Sequence, residues 1–136
     1  MNNLLSTIAL FLFTTISCFA QETVTLKVTV PNAGNDTGKM MIGVYEKDTF
    51  MKAAPLHSAN VAIVDGVAIY TFENVKPGEY AVSVLHDKNE NGRMDFDGNF
   101  PSEPYGMSNN PMTMGPPSWE DAKFTLSENK EVIVRL

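Results

Sequence analysis

The chain has 136 residues, 43% of them hydrophobic, which suffices for one domain with a modest core and is short for two. Every charged side chain follows Gln21, so the net charge of −6 belongs to the later part; it opposes phosphate backbones and anionic lipid and excludes nucleic acid as an expected partner. Acidity also serves ordinary solubility, so charge alone does not argue for a cation.

Leu4, Leu5 and Ile8 to Phe13 form an apolar stretch, and small and polar residues from Thr14 to Ala20 follow it. This pattern reads as a secretory signal over residues 1–20, cut after Ala20, with one domain over 21–136. The stretch is too short for an ordinary membrane span, so no transmembrane segment is expected after cleavage. A periplasmic or extracellular location follows. Cys18 is the only cysteine and leaves with the signal, so the mature chain can form no internal disulfide. The competing reading, a lipoprotein acylated at Cys18, is weakened by Thr15, where such signals usually carry Leu.

Thr23 to Val30 alternates strictly, with Val24, Leu26, Val28 and Val30 on one side, and predicts a half-buried strand. Pro31 to Gly38 supplies turn chemistry, and Lys39 to Glu46 predicts a second strand with Met40, Ile42 and Val44 inward. Asp48 to Asn60 lacks alternation and contains Pro55, so it reads as a crossing connection with at most one short helical turn. Val61 to Val64 and Val67 to Phe72 flank Asp65-Gly66 and predict a two-residue hairpin. Lys76-Pro77-Gly78 turns the chain into a strand in which Tyr80, Val82 and Val84 alternate with Ala81 and Ser83. Ala122 to Leu126 and Glu131 to Leu136 predict the last two strands. About seven short strands without an amphipathic helix favour an all-β fold, an antiparallel two-sheet sandwich, with a small barrel as the alternative. The long segment Asp87 to Ser118 is the exception, since irregular connections beyond about 12–15 residues are usually functional or disordered.

That segment opens with His86-Asp87-Lys88-Asn89-Glu90-Asn91-Gly92-Arg93-Met94-Asp95-Phe96-Asp97. Counting from Asp87, oxygen donors fall at positions one, three, five and nine as Asp87, Asn89, Asn91 and Asp95, with Gly92 at the sixth place and the Arg93 carbonyl at the seventh. Alternate side chains can then face one centre while the backbone wraps it, and hard oxygen ligands suit calcium. The twelfth position, which should bring a bidentate Glu, is Gly98, with Asp97 one place early and Glu103 five places late. With so few charged ligands the expected affinity is weak, on the order of 10⁻⁴ M or weaker, and the role structural. Asx-turns at Asp87, Asn89 and Asn91 without an ion are the alternative reading.

Phe96, Phe100, Tyr105 and Trp119 are expected to pin the segment onto the sandwich, or else to form a stacking platform for a sugar or peptide. The loop motif, together with the Pro-Ser-Glu-Pro-Tyr-Gly-Met-Ser-Asn run from Pro101 and the stretches Lys76 to Val82 and Pro116 to Ala122, resembles a bacterial family of exported proteins catalogued as a domain of unknown function. The Pro77-Gly78-Glu79-Tyr80 turn is similar to that of transthyretin-like and carboxypeptidase-regulatory-like sandwiches. By analogy this implies a binding or accessory module.

For catalysis the candidates are His86 beside Asp87, or His57 beside Ser58; no motif for a nucleophile or a metalloprotease accompanies them. His86 shares strand parity with Tyr80, Val82 and Val84 and reads more simply as a buried, hydrogen-bonded histidine. Met107, Met112 and Met114 raise a copper-handling alternative, because thioethers favour Cu(I), although Met commonly fills gaps in packing. The resulting expectation is an exported β-sandwich, not an enzyme, with a structural calcium ion and a binding or accessory role toward an envelope protein or glycan.

Overall fold

The computed structural model describes residues 20–136; the signal segment, its cleavage junction on the amino side and Cys18 lie outside the described residues. Ten strands and one short helix follow in order: β1 Val24–Val30, β2 Lys39–Tyr45, β3 His57–Val61, β4 Ala68–Val75, β5 Gly78–Asp87, β6 Phe96–Asp97, β7 Phe100–Pro101, β8 Tyr105–Met107, α1 Trp119–Ala122, β9 Phe124–Leu126 and β10 Lys130–Ile133. They build the expected all-β sandwich. One sheet runs β10-β1-β4 and the other β3-β2-β5-β8, with β9 also pairing with β5. All pairs are antiparallel except β1 with β10, which run parallel.

The alternating strands dictate the core. Val24, Leu26, Val28 and Val30 from one sheet face Met40, Ile42, Val44, Val82 and Val84 from the other, closed by Leu126, Val132 and Val134. Full burial of each such side chain contributes about 1.5–3 kcal/mol. Tyr80 ties the turn that joins the sheets, since its hydroxyl donates to the Lys76 carbonyl at 2.7 Å.

Three elements depart from the sequence-based expectation. The anticipated hairpin around Asp65-Gly66 shrinks to one isolated bridge, Val64 with Val67. Its turn chemistry holds, because Asp65 and Gly66 both take positive φ, 52° and 74°, and both their N–H groups donate to the Asp36 carboxylate. The flanking strands, however, belong to different sheets. His57–Val61 pairs with β2 instead, and Ile63 then turns into the core as the chain crosses over. The supposed connection Asp48 to Asn60 therefore carries a strand at its end, preceded by turns in which Phe50 donates to Glu46 and Ala53 to Thr49. Finally, Ala122 belongs to α1, not to a strand, with Ser118 as its N-cap accepting from the Asp121 N–H. Among the described residues no helix is long and apolar enough to cross a membrane.

Candidate functional site

The long segment is ordered by its own side chains, beginning with the last residue of β5. Asp87 is 2% exposed, and its carboxylate closes the loop by accepting from the N–H groups of Asn91 at 3.2 Å and Gly92 at 2.8 Å. Positive φ at Glu90 and Gly92 lets the backbone curl around it. Asn89 and Asn91 make successive Asx-turns, accepting from the N–H of Asn91 and of Arg93. Their amide N–H groups also donate to the two oxygens of Asp95, at 2.6 and 2.7 Å. Asp87, Asn89, Asn91 and Asp95 are thus drawn into one hydrogen-bonded loop, with the Arg93 carbonyl on the same turn.

The residue that completes the loop is Glu103, which position counting left five places late. It is 7% exposed, and its two oxygens accept from the Lys88 N–H at 3.0 Å and the Asp95 N–H at 3.3 Å, clamping both ends. Asp97 goes elsewhere. It lies on β6 opposite Phe100 of β7, around the Gly98-Asn99 turn, with its side chain exposed. Spacing could not find Glu103, because the β6–β7 excursion sets the return path. The donor set, carboxylates with amide and main-chain oxygens, suits a hard cation. Among the described residues no three His, Cys, Asp or Glu side chains gather as a metal cluster, so such an ion would depend on the Asn and carbonyl oxygens.

The rest of the motif stitches the segment to the sandwich. β8 pairs with β5 through Ser83, Val84 and Leu85. A Cβ on Gly106 would stand 2.2 Å from the Arg135 carbonyl oxygen, so only glycine permits that approach. Ser108 is fully buried; it accepts from the Val82 N–H and donates to the Ala122 carbonyl. Asn109 donates to the carbonyls of Asp121 and Lys123, and Asn110 bridges Ile133 and Arg135. On the other side of Asp87, a Cβ at Gly38 would meet the Asp87 carbonyl oxygen at 2.1 Å.

Neither histidine pair converges on a reaction centre. His86 and Asp87 are successive strand residues pointing to opposite faces; His86 is fully buried, and its Nε2–H donates to the Thr37 carbonyl at 2.6 Å. Its Nδ1 is the buried side-chain atom without a partner among the described residues. His57 is half-buried beside Phe72, whereas Ser58 is exposed on the opposite face. The methionines also separate: Met107 is buried with Phe50, Ala81 and Ala122, while Met112 and Met114 are fully exposed.

Among the described residues these placements leave a large concavity. The outer face of the five-stranded sheet is covered at one end by a second core, where Tyr45, Phe50 and Trp119 meet edge to face with ring centroids 5.9 Å apart. Burial there raises the Tyr45 phenol above its ordinary pKa. Trp119 therefore serves packing, not a platform. Beyond that core lies a cleft of about 900 Å³, floored by Met41, Ser83 and Leu85 and walled by Phe96, Phe100 and Tyr105. Phe96 and Phe100 are 61% and 77% exposed. The acidic base of the loop fixes the chain that carries these rings, so the aromatics predicted in sequence have divided between a satellite core and an open cleft wall.

Comparison with curated proteins and with solved structures returns no match. A family model described as "Uncharacterized protein conserved in bacteria (DUF2141)" matches residues 28–134, from the middle of β1 to just past β10 and including the whole long segment. The chain belongs to this bacterial family of unknown function.

Proposed function

We propose that the chain is an exported binding or accessory module without catalytic machinery, whose binding face is the cleft and whose long loop is stiffened by one weakly held calcium ion. The observation that carries this reading is the division of the loop. Its base is clamped by the buried carboxylates of Asp87 and Glu103, while Phe96 and Phe100 stand exposed at its far end beside a cleft of about 900 Å³. Apolar surface held open by an ordered framework costs stability unless something occupies it, and ligand pockets commonly fall in this size range. Calcium would be held by Asp87, Asn89, Asn91, the Arg93 carbonyl and Asp95, with Glu103 taking the place of the missing twelfth-position ligand; it would supply charge neutralisation and rigidity, not chemistry. Export is supported by the signal-like pattern of residues 1–20. The test is a thermal-shift screen of small molecules, peptides and glycans on residues 21–136, with Phe100→Ser and Tyr105→Ala as controls. Hits that both substitutions weaken support the cleft; hits indifferent to both contradict it.

A further inference from the structure

We infer that the cleft receives an amphiphile with an apolar body and a single anionic head group, most simply a medium- or long-chain carboxylate, bound as a monomer. This rests on the reading of the cleft as the binding face. Three features of the lining select the class. First, the floor is the face of a sheet, not its edge: Met41 and Leu85 stand on β2 and β5, whose backbones are paired along the cleft. An extended peptide lying on that floor would find no row of free N–H and C=O groups; strand addition, which depends on such a row, would have to use the edge strand β3 at the rim, where Ser58 and Asn60 stand.

Second, the lining is dominated by aliphatic, aromatic and proline side chains, with methionines from both floor and wall. Besides the phenols of Tyr45 and Tyr105, uncharged polar side chains are confined to Ser58, Asn60, Ser83 and Asn99. A sugar presents hydroxyls around its whole ring and would leave many of them unpaired, at a cost for each. Unbranched thioethers instead adapt to a flexible hydrocarbon.

Third, among the described residues Arg93 is the only charged one lining the cleft, in a chain whose net charge is −6. Among the described residues its guanidinium has no ion-pair partner; the two salt bridges join Lys27 with Glu131 and Lys123 with Glu120. A planar, always charged fork beside an apolar trough matches the geometry of a carboxylate at the end of an alkyl chain. The overall negative charge disfavours docking onto an anionic membrane, an extended array of charge, whereas a single carboxylate needs only the local field of Arg93.

The test is calorimetric titration of residues 21–136, which contain every described strand and both core clusters, with decanoate, decanol and decyltrimethylammonium below their micellar concentrations. Decanoate is expected to bind about tenfold or more tightly than the cationic analogue, the factor that one charge-assisted hydrogen-bonded pair supplies. Arg93→Gln should erase that preference without weakening decanol, and Phe100→Ser should weaken all three. Both side chains are exposed, and unchanged melting temperatures will verify folding. Equal binding of all three ligands, insensitive to Arg93→Gln but weakened by Phe100→Ser, overturns the head-group assignment and leaves the cleft as the binding face. Binding of none of them overturns the amphiphile class, whether or not a peptide or glycan is captured instead; binding that is indifferent to Phe100→Ser overturns the cleft as the binding face as well.

Discussion

Glu103→Ala tests whether the loop is held by its buried base. The substitution removes both oxygens that receive the Lys88 and Asp95 N–H groups. Hydrogen bonds to a charged acceptor contribute about 1.5–3 kcal/mol each, and because Lys88 is exposed and Asp95 half-buried, partial rehydration brings the expected net loss to about 2–3 kcal/mol. For roughly 120 residues the unfolding entropy near the midpoint is about 0.25 kcal/mol/K, so the melting temperature should fall by about 8–12 °C. Glu103→Gln keeps one neutral acceptor and should lose roughly half as much. The readouts are thermal unfolding and amide exchange at Lys88 and Asp95. The loss should be global, because Ser108, Asn109 and Asn110 bind the far end of the segment to Val82, Ala122, Lys123 and Arg135. A fall below about 2 °C with unchanged exchange would refute the clamp. Faster exchange at an unchanged melting temperature would refute the coupling of loop to sandwich.

Gly38→Ala should be severe, since φ is +72° and the added Cβ meets the Asp87 main chain at 2.1 Å; strain and overpacking together predict a loss of about 3 kcal/mol or more in urea unfolding. Tyr80→Phe should cost about 1 kcal/mol at neutral pH by removing the bond to the Lys76 carbonyl. Burial first, and the Glu46 carboxylate second, raise the Tyr80 phenol above 10.0. Its contribution is therefore complete below the unfolded-state value and is lost as pH rises through the folded-state one, so the gap between wild type and variant should narrow above pH 10 in pH-dependent melts. Leu26→Ala, at a fully buried core position, should destabilise by about 2–5 kcal/mol in the same melts.

How far the sequence reached can be judged residue by residue. Strict alternation in Val24 to Val30 and Tyr80 to Val84 gave the core strands, because one buried face forces a period of two. The Asp65-Gly66 turn was read correctly from its local chemistry, yet its flanks pair with other strands; dipeptide propensity fixes a bend and carries no information about which sheet the next residue joins. His57 to Val61 escaped notice because the alternation is short and its inward side, His57, Ala59 and Val61, is only partly buried and begins with a polar residue. At the loop, the spacing of Asp87, Asn89, Asn91 and Asp95 reported a real local geometry, since Asx-turns are short-range. Glu103 was illegible as a partner because its distance in sequence is absorbed by β6 and β7, and the cleft was illegible because a concavity is a property of three elements together. The division of Trp119 from Phe96 and Phe100 likewise depends on Phe50, which no pattern connected to them.

The central claim, that a cation stiffens the loop, is tested most directly by thermal unfolding of chelated residues 21–136 with calcium and magnesium titrated back separately, in wild type and Asp87→Ala. For a dissociation constant on the order of 10⁻⁴ M, 10 mM calcium should stabilise the fold by about 2.7 kcal/mol, or about 10 °C, with magnesium weaker and Asp87→Ala unresponsive to either. A melting temperature that stays constant through the whole calcium range, or a rise of equal size in Asp87→Ala, would contradict the account and leave Asp87, Asn89 and Asn91 as turn-forming residues alone.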